Sequence, residues 1–282
     1  MSNSGSDAKP AGAAKAGVGR VGARKDGRGF AGVRAAATRW APPVVSLLVA
    51  MLIFQAFVSL DLGKLKMPGP LDVLHSIVTF GVSGEFWSAA LESGRVFLQG
   101  LIPGMILGVF IGLVVGGFRL LDRSLGPLLF GVYTTPFIAI IPLLLILFGF
   151  GVKGKTMIVF FLVFITVVLQ TIAGVRNVDP TYFEVSNAFR APPWRRLFEV
   201  TFPAALPFIV AGIRLGIGRA LVGVVVAEFE TQVTGLGGVI IAKAQRLELA
   251  DAMIPAIFLA AVGIALAAAL RRWEQRIQVW KS

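Results

Sequence analysis

Five stretches of this chain run for 19 residues or more without a charged side chain: 41–60, 96–118, 124–152, 156–175 and 252–270. At 1.5 Å of rise per residue, each is long enough as a helix to cross a hydrocarbon layer of about 30 Å. A sixth run, 203–227, is interrupted by Arg214 and Arg219. With 56% of its 282 residues apolar and 15% charged, the chain reads as an all-α polytopic membrane protein of six transmembrane helices. Six crossings put both termini on the same side.

Basic residues decide which side, because Lys and Arg accumulate in cytoplasmic loops. With both termini cytoplasmic, eighteen basic residues fall in inside segments and seven outside: Lys64, Lys66, Arg95, Lys153, Lys155, Lys243 and Arg246. The net charge of +12 is therefore a signature of topology and not of nucleic-acid binding. Residues 1–40 are rich in Gly, Ala, Lys and Arg, which predicts a disordered basic tail near anionic lipid headgroups. The first transmembrane helix is expected over 41–62 and a periplasmic segment over 63–95. A transmembrane core is expected over 96–272. Residues 273–282 form an interfacial tail in which Arg276 and Lys281 alternate with Trp273 and Trp280. A cleaved signal peptide is not expected, since the first apolar run starts late and is long enough to span. The chain has no cysteine and one histidine, His75, with no ligand pattern around it; no metal site and no covalent catalysis is read from it.

One segment between the fourth and fifth runs is polar and amphipathic, 179–203. Asp179 before Pro180 starts a helix by capping free amides, and Tyr182, Val185 and Phe189 share a face. Pro192 and Pro193 close that helix and open a second, lined by Trp194, Leu197, Phe198 and Thr201 and kept soluble by Arg195, Arg196 and Glu199. A short helix-turn-helix on the cytoplasmic face is expected. Periodicity alone fits equally an amphipathic loop resting on the bilayer.

Within the spans, Gly104, Gly108, Gly112 and Gly116 recur every four residues, a ridge that lets another helix approach closely. It serves either packing within the chain or a seam between two copies. Pro136 and Pro142 should bend or break the third run, and near them Tyr133, Thr134 and Thr135 are candidate pathway groups. Arg214, Arg219 and Glu228 join them, since an arginine at mid-membrane costs about 3 kcal/mol and must face protein or water. Arg219 and Glu228 lie half a helical rotation out of phase, so each needs a partner on another helix. Gly149, Gly154, Lys155 and Thr156 match a phosphate-binding loop, but they join two membrane-length runs where a strand and a soluble sheet are required. They are read as a tight turn.

Glu184-Val185-Ser186, then three residues, Arg190, Phe202-Pro203 and Ala204 to Pro207 resemble the Glu-Ala-Ala loop of binding-protein-dependent ABC importer permeases. Residues 212–229, with Gly235-Leu236-Gly237 and Met67 to Leu74, are similar to the permeases of the sulfonate, nitrate and taurine group. The resemblance covers about residues 65 to 275. It implies a type I importer permease in a bacterial inner membrane, without enzymatic activity or bound cofactor of its own. The implied partners are two ATP-binding subunits that hold ATP and Mg, a second permease copy, and a periplasmic or lipid-anchored substrate-binding protein. It makes the segment from Tyr182 to Phe198 the coupling element to the ATPase. The coupling residues are Tyr182, Phe183, Glu184, Val185, Ser186, Ala188, Arg190, Ala191, Trp194 and Pro203, with Glu184 the main contact. Two positions depart from the pattern: Val185 and Ser186 replace alanines, and Arg190 replaces a glycine. Since glycine there permits a left-handed helix end, arginine is expected to close the turn differently, aided by Pro192 and Pro193. The cargo is expected to be a small anion such as a sulfonate, nitrate or bicarbonate. A stand-alone secondary transporter or channel is the alternative, although it would want more ionisable residues within its spans.

Overall fold

The computed structural model describes residues 68–232 and 234–278, and positions 45, 46, 49 and 53 besides. Among the described residues all regular structure is helical, in chain order α1 (Pro70–Thr79), α2 (Gly84–Gly117), α3 (Arg119–Thr134), α4 (Phe137–Phe148), α5 (Val152–Arg176), α6 (Pro180–Ala188), α7 (Pro193–Thr231), α8 (Leu236–Gln245) and α9 (Leu249–Gln278). Four of these, α2, α5, α7 and α9, are long and apolar enough to cross a membrane, and α3 with α4 makes a fifth if the bent pair is one span. All nine belong to one unit, residues 54–282, while residues 1–53 form another. The expected tail over 1–40 and nearly all of the expected first span, 41–62, lie outside the described residues.

α5 is the axis of the larger unit, with 67% of its apolar window buried against 11% for α9. One face of α5 carries Val159, Val163, Val167, Thr171 and Val175, and these meet Gly100, Gly104, Gly108, Gly112 and Gly116 of α2 in turn. A Cβ at each glycine would sit 2.5–3.0 Å from the facing Cβ, so the helices touch backbone to side chain with no room to spare. β-Branched residues suit this seam because their χ1 is already restricted and little rotamer freedom is lost in packing. The ridge is thus used inside the chain. Its partners stand at a constant sequence offset, so α2 and α5 run parallel.

On its other side α5 meets α7 in the opposite sense: Gly174 lies against Phe208, Gly212 against Gln170, and Gly223 against Leu162 and Val159. Val96, Leu101, Val159, Val163, Val167, Ala220 and Val224 form the core where the three helices meet. The parallel course of α2 and α5 requires the connection between them to return the chain to its starting end. That return is made by α3 and α4, which bend by 98° at their junction. The break falls at Pro136, which precedes α4, and the hydroxyls of Thr134 and Thr135 both donate to the Gly131 carbonyl at 2.9 Å, which also accepts the Thr135 N–H at 3.1 Å. Pro142, by contrast, lies within α4, which continues through it.

The second helix of the polar segment is not short. It runs without interruption from Pro193 to Thr231 and becomes the span itself. Continuity past Pro203 is made possible by a π-helical turn over Arg196–Thr201, in which the Phe202 N–H reaches back to the Leu197 carbonyl and Thr201 Oγ1 donates to the Arg196 carbonyl at 3.1 Å. Widening the helix just before a residue that has no N–H to give absorbs the proline without a break.

Candidate functional site

α6 is built as a self-contained protrusion between the end of α5 and the start of α7. Asp179 caps it, its carboxylate accepting from the Thr181 N–H at 2.8 Å. That backbone hydrogen bond, with a contribution from the Thr181 side chain, holds the Asp179 carboxyl below its ordinary value. Phe183 packs on the cluster of Leu113, Val175, Val178, Leu197, Ala205 and Ile209, and buried Ser186 returns its hydroxyl to the Phe183 carbonyl. Arg196 fastens the helix to α7 by donating to Asn187 Oδ1 at 3.1 Å and lying over the Phe183 ring. The opposite face is open: Tyr182, Glu184, Val185, Ala188 and Phe189 are exposed, as is Trp194 at the start of α7. Ala191 is half-buried in the turn, and Pro203 is exposed beyond the π turn.

Arg190 closes the turn as a glycine would, contrary to the expectation from sequence. Its φ is +52°, the Arg190 N–H donates to the Asn187 carbonyl and the Ala191 N–H to the Ser186 carbonyl. These two bonds are the Schellman pattern with the left-handed residue at its usual place. The two reverse bonds satisfy carbonyls that would otherwise be orphaned, which outweighs a left-handed penalty of about 1 kcal/mol for an L side chain. Arg190→Gly is expected to remove this strain and raise the unfolding free energy by about 0.5–1 kcal/mol, read as a higher melting temperature in detergent. An unchanged or lower melting temperature would contradict the account.

The remaining candidates divide into two groups. Tyr133 lines a cavity of about 710 Å³ between α3 and α5, together with Asp122, Arg123, Thr166, Gln170 and Arg176. The Arg219 guanidinium of α7 lies 5.9 Å from the Tyr133 ring, a cation–π contact across helices. At the cavity's end Arg176 grips Asp122 with two bonds, Nη2 to Oδ1 at 2.7 Å and Nε to Oδ2 at 3.2 Å. Thr134 and Thr135 stand next to Tyr133 at the bend, and Arg214 is exposed on α7. Glu228 is elsewhere. It is fully buried near the opposite end of α7, where Ser93 Oγ donates to its Oε1 at 2.6 Å and the Gly237 N–H to its Oε2 at 2.8 Å. Arg219 and Glu228 each find a partner on a different helix.

Lys155, the lysine of the apparent phosphate loop, belongs with Glu228. It is 1% exposed, and its Nζ donates to the Thr234 carbonyl at 2.9 Å and hydroxyl at 2.6 Å, and lies 3.5 Å from Glu92 Oε1. The Thr234 hydroxyl in turn donates to Glu92. The glycines have local reasons: Gly149 ends α4 at φ +86°, and a Cβ on Gly154 would lie 1.9 Å from the Gly149 carbonyl oxygen. Helix α4, not a strand, precedes the turn. Glu92, Ser93 and Thr234 were not legible from sequence; the only hint was Gly235-Leu236-Gly237, where a Cβ on either glycine would strike the Glu228 side chain at 2.0 and 2.7 Å.

A family model described as a binding-protein-dependent transport system inner membrane component matches residues 104–278, from within α2 to the end of α9. Among curated relatives, a probable ABC transporter permease protein of Brucella abortus (strain 2308) is 27% identical over 219 residues, covering 78% of this chain and 88% of the relative. A putative aliphatic sulfonates transport permease protein of Bacillus subtilis (strain 168) is 30% identical, covering 77% of this chain and 78% of its own. A bicarbonate transport system permease protein of Synechococcus elongatus is 28% identical, covering 83% and 89%.

Proposed function

Since this chain belongs to the family of binding-protein-dependent transport system inner membrane components and is a permease subunit of an ABC importer, we propose that α6 and the start of α7 dock on an ATP-binding subunit and carry its motion into the membrane. The observation behind this is the outward face of α6: Tyr182, Val185 and Phe189 exposed beside Glu184, on a helix fixed to its own chain by Phe183, Ser186 and Arg196. A rigid protrusion with an uncovered aromatic face, sited between two spans, has the properties of a lever. Two such ATP-binding subunits, holding ATP and Mg, serve two permease copies, and a periplasmic or lipid-anchored binding protein delivers the solute from the other side.

In this reading the protein is a six-span protein of a bacterial inner membrane with both termini in the cytoplasm, and the bent pair α3–α4 crosses as one broken span. The parallel register of α2 and α5 supports that crossing. The second copy contacts some surface other than the glycine ridge, which is consumed within the chain. The cargo is a small anion. Arg123, Gln170 and Tyr133 at the cavity, with Arg219 behind Tyr133, offer cationic and hydrogen-bonding groups, and relatives are named for aliphatic sulfonates and bicarbonate.

Co-expression with the cognate ATP-binding subunit should yield a complex that takes up solute into vesicles only with ATP and binding protein. Uptake without an ATPase would favour a secondary transporter instead. Glu184→Ala should leave ATP hydrolysis running while solute imported per ATP falls about tenfold. Intact transport in that variant would remove the docking role from Glu184.

A further inference from the structure

The two buried charges at the end of the bundle remote from α6 converge on one loop. Glu92 and Ser93 come from α2, Lys155 from the first turn of α5 and Glu228 from the last turn of α7. All four engage residues 234–237, the end of the loop after α7 and the first two residues of α8. Ser93 Oγ both donates to Glu228 and accepts from the Leu236 N–H at 2.9 Å. The Gly237 N–H holds the second carboxylate oxygen of Glu228, and Lys155 holds both oxygens of Thr234. The loop is shaped to receive them: Gln232 and Gly235 have φ of +50° and +90°, and no Cβ fits at Gly235 or Gly237 beside Glu228. Charges this deeply buried are tolerated only while their partners stay in place, so the cluster is a fixed joint.

Its position gives it a task. α5 and α7 are the two helices from which α6 hangs, since α5 ends at Arg176 and α7 begins at Pro193, on either side of it. Lys155 and Arg176 are separated by nearly the full length of α5, about 37 Å for 25 residues. The bent pair α3–α4 contributes none of the residues in the cluster. We propose that Lys155 and Glu228 are positioning residues of the transport cycle: they pin the outer ends of α2, α5 and α7 together as a pivot, so that displacement of α6 at the inner end tilts α5 and α7 as levers. Without the pivot, the same displacement would be spent in sliding α5 and α7 apart at their free ends. The inference rests on the reading of α6 as the docking element.

The test uses the complete transporter, with its ATP-binding subunit and binding protein, in vesicles, and reads solute imported per ATP hydrolysed. Lys155→Met is expected to lower that ratio about tenfold with ATP hydrolysis retained, and Thr234→Val about fivefold. Lys155→Arg should restore most of the ratio. Thr234 is exposed, so its variant decides the matter if Lys155→Met fails to assemble. A merely structural role would lower hydrolysis and uptake in parallel, and a constant ratio in either variant overturns the pivot. Glu184→Ala separates the two proposals. If it uncouples while the Lys155 and Thr234 variants do not, the pivot alone is wrong, and if it too leaves the ratio constant, the docking reading fails.

Discussion

Gly108→Leu is expected to be among the most damaging single substitutions in the membrane region, lowering the unfolding free energy by about 3 kcal/mol or more. The site is closed on every side. A Cβ at 108 would already stand 2.8 Å from Val167 Cβ, 3.0 Å from its Cγ1 and 3.2 Å from the Phe164 carbonyl oxygen. Val167 has nowhere to withdraw, because its other side touches Gly216 of α7. The only relief is separation of α2 from α5, and that opens the neighbouring contacts at Gly104 and Gly112 as well. In detergent the variant should melt about 6–12 °C below the parent, with loss of the monodisperse peak on size exclusion. Gly108→Ala should cost less, and Val167→Gly in the same chain should recover part of the loss by transferring the missing space across the seam. A Gly108→Leu protein that melts with the parent would mean that α2 and α5 do not pack in this register.

The same seam illustrates what the sequence could convey. A four-residue glycine period is visible in one dimension, and so is the close approach it permits. What it packs against is not, because valines on α5 look like any lipid-facing run until the constant offset from Gly100–Val159 to Gly116–Val175 is seen. Pro136 and Pro142 have equal weight in the sequence, yet the chain breaks only at the first, where the hydroxyls of Thr134 and Thr135 fold back onto the Gly131 carbonyl. At Arg190 the two Schellman hydrogen bonds outweigh the preference of one side chain against positive φ, and residue type alone does not convey that balance. The π turn before Pro203 has no sequence signature of its own, so the sequence does not show that the second polar helix runs on into the span. The Glu92, Ser93, Lys155, Thr234 and Glu228 cluster is assembled from three helices and a loop as far as 142 positions apart, and distance of that kind leaves no local pattern. Lys155 even advertised a different chemistry, through a motif whose glycines answer to a turn.

Phe189→Ala is expected to separate the docking surface from the fold more cleanly than any change at Glu184. Phe189 is 82% exposed at the C-cap of α6, so within this chain its ring supports almost nothing, and truncation should shift the unfolding free energy by no more than about 0.5 kcal/mol. On the proposed docking surface the same ring stands exposed, as Tyr182, Val185 and Trp194 do, and an aromatic anchor of that kind carries about 2 kcal/mol or more in an interface. Affinity for the ATP-binding subunit should then fall about 30-fold, measured by titrating that subunit against the purified permease. Phe183 provides the opposite case on the same helix. Its ring faces Leu197 and the inner cluster, so Phe183→Ala should lower the melting temperature and weaken docking only as far as α6 loosens. If Phe189→Ala left affinity unchanged while Phe183→Ala abolished it, the partner would be reading the position of α6 and not its exposed face, and the contact would have to be moved to the turn at Arg190 or to the first turn of α7. If both variants bound as the parent does, the docking element would lie elsewhere on the chain.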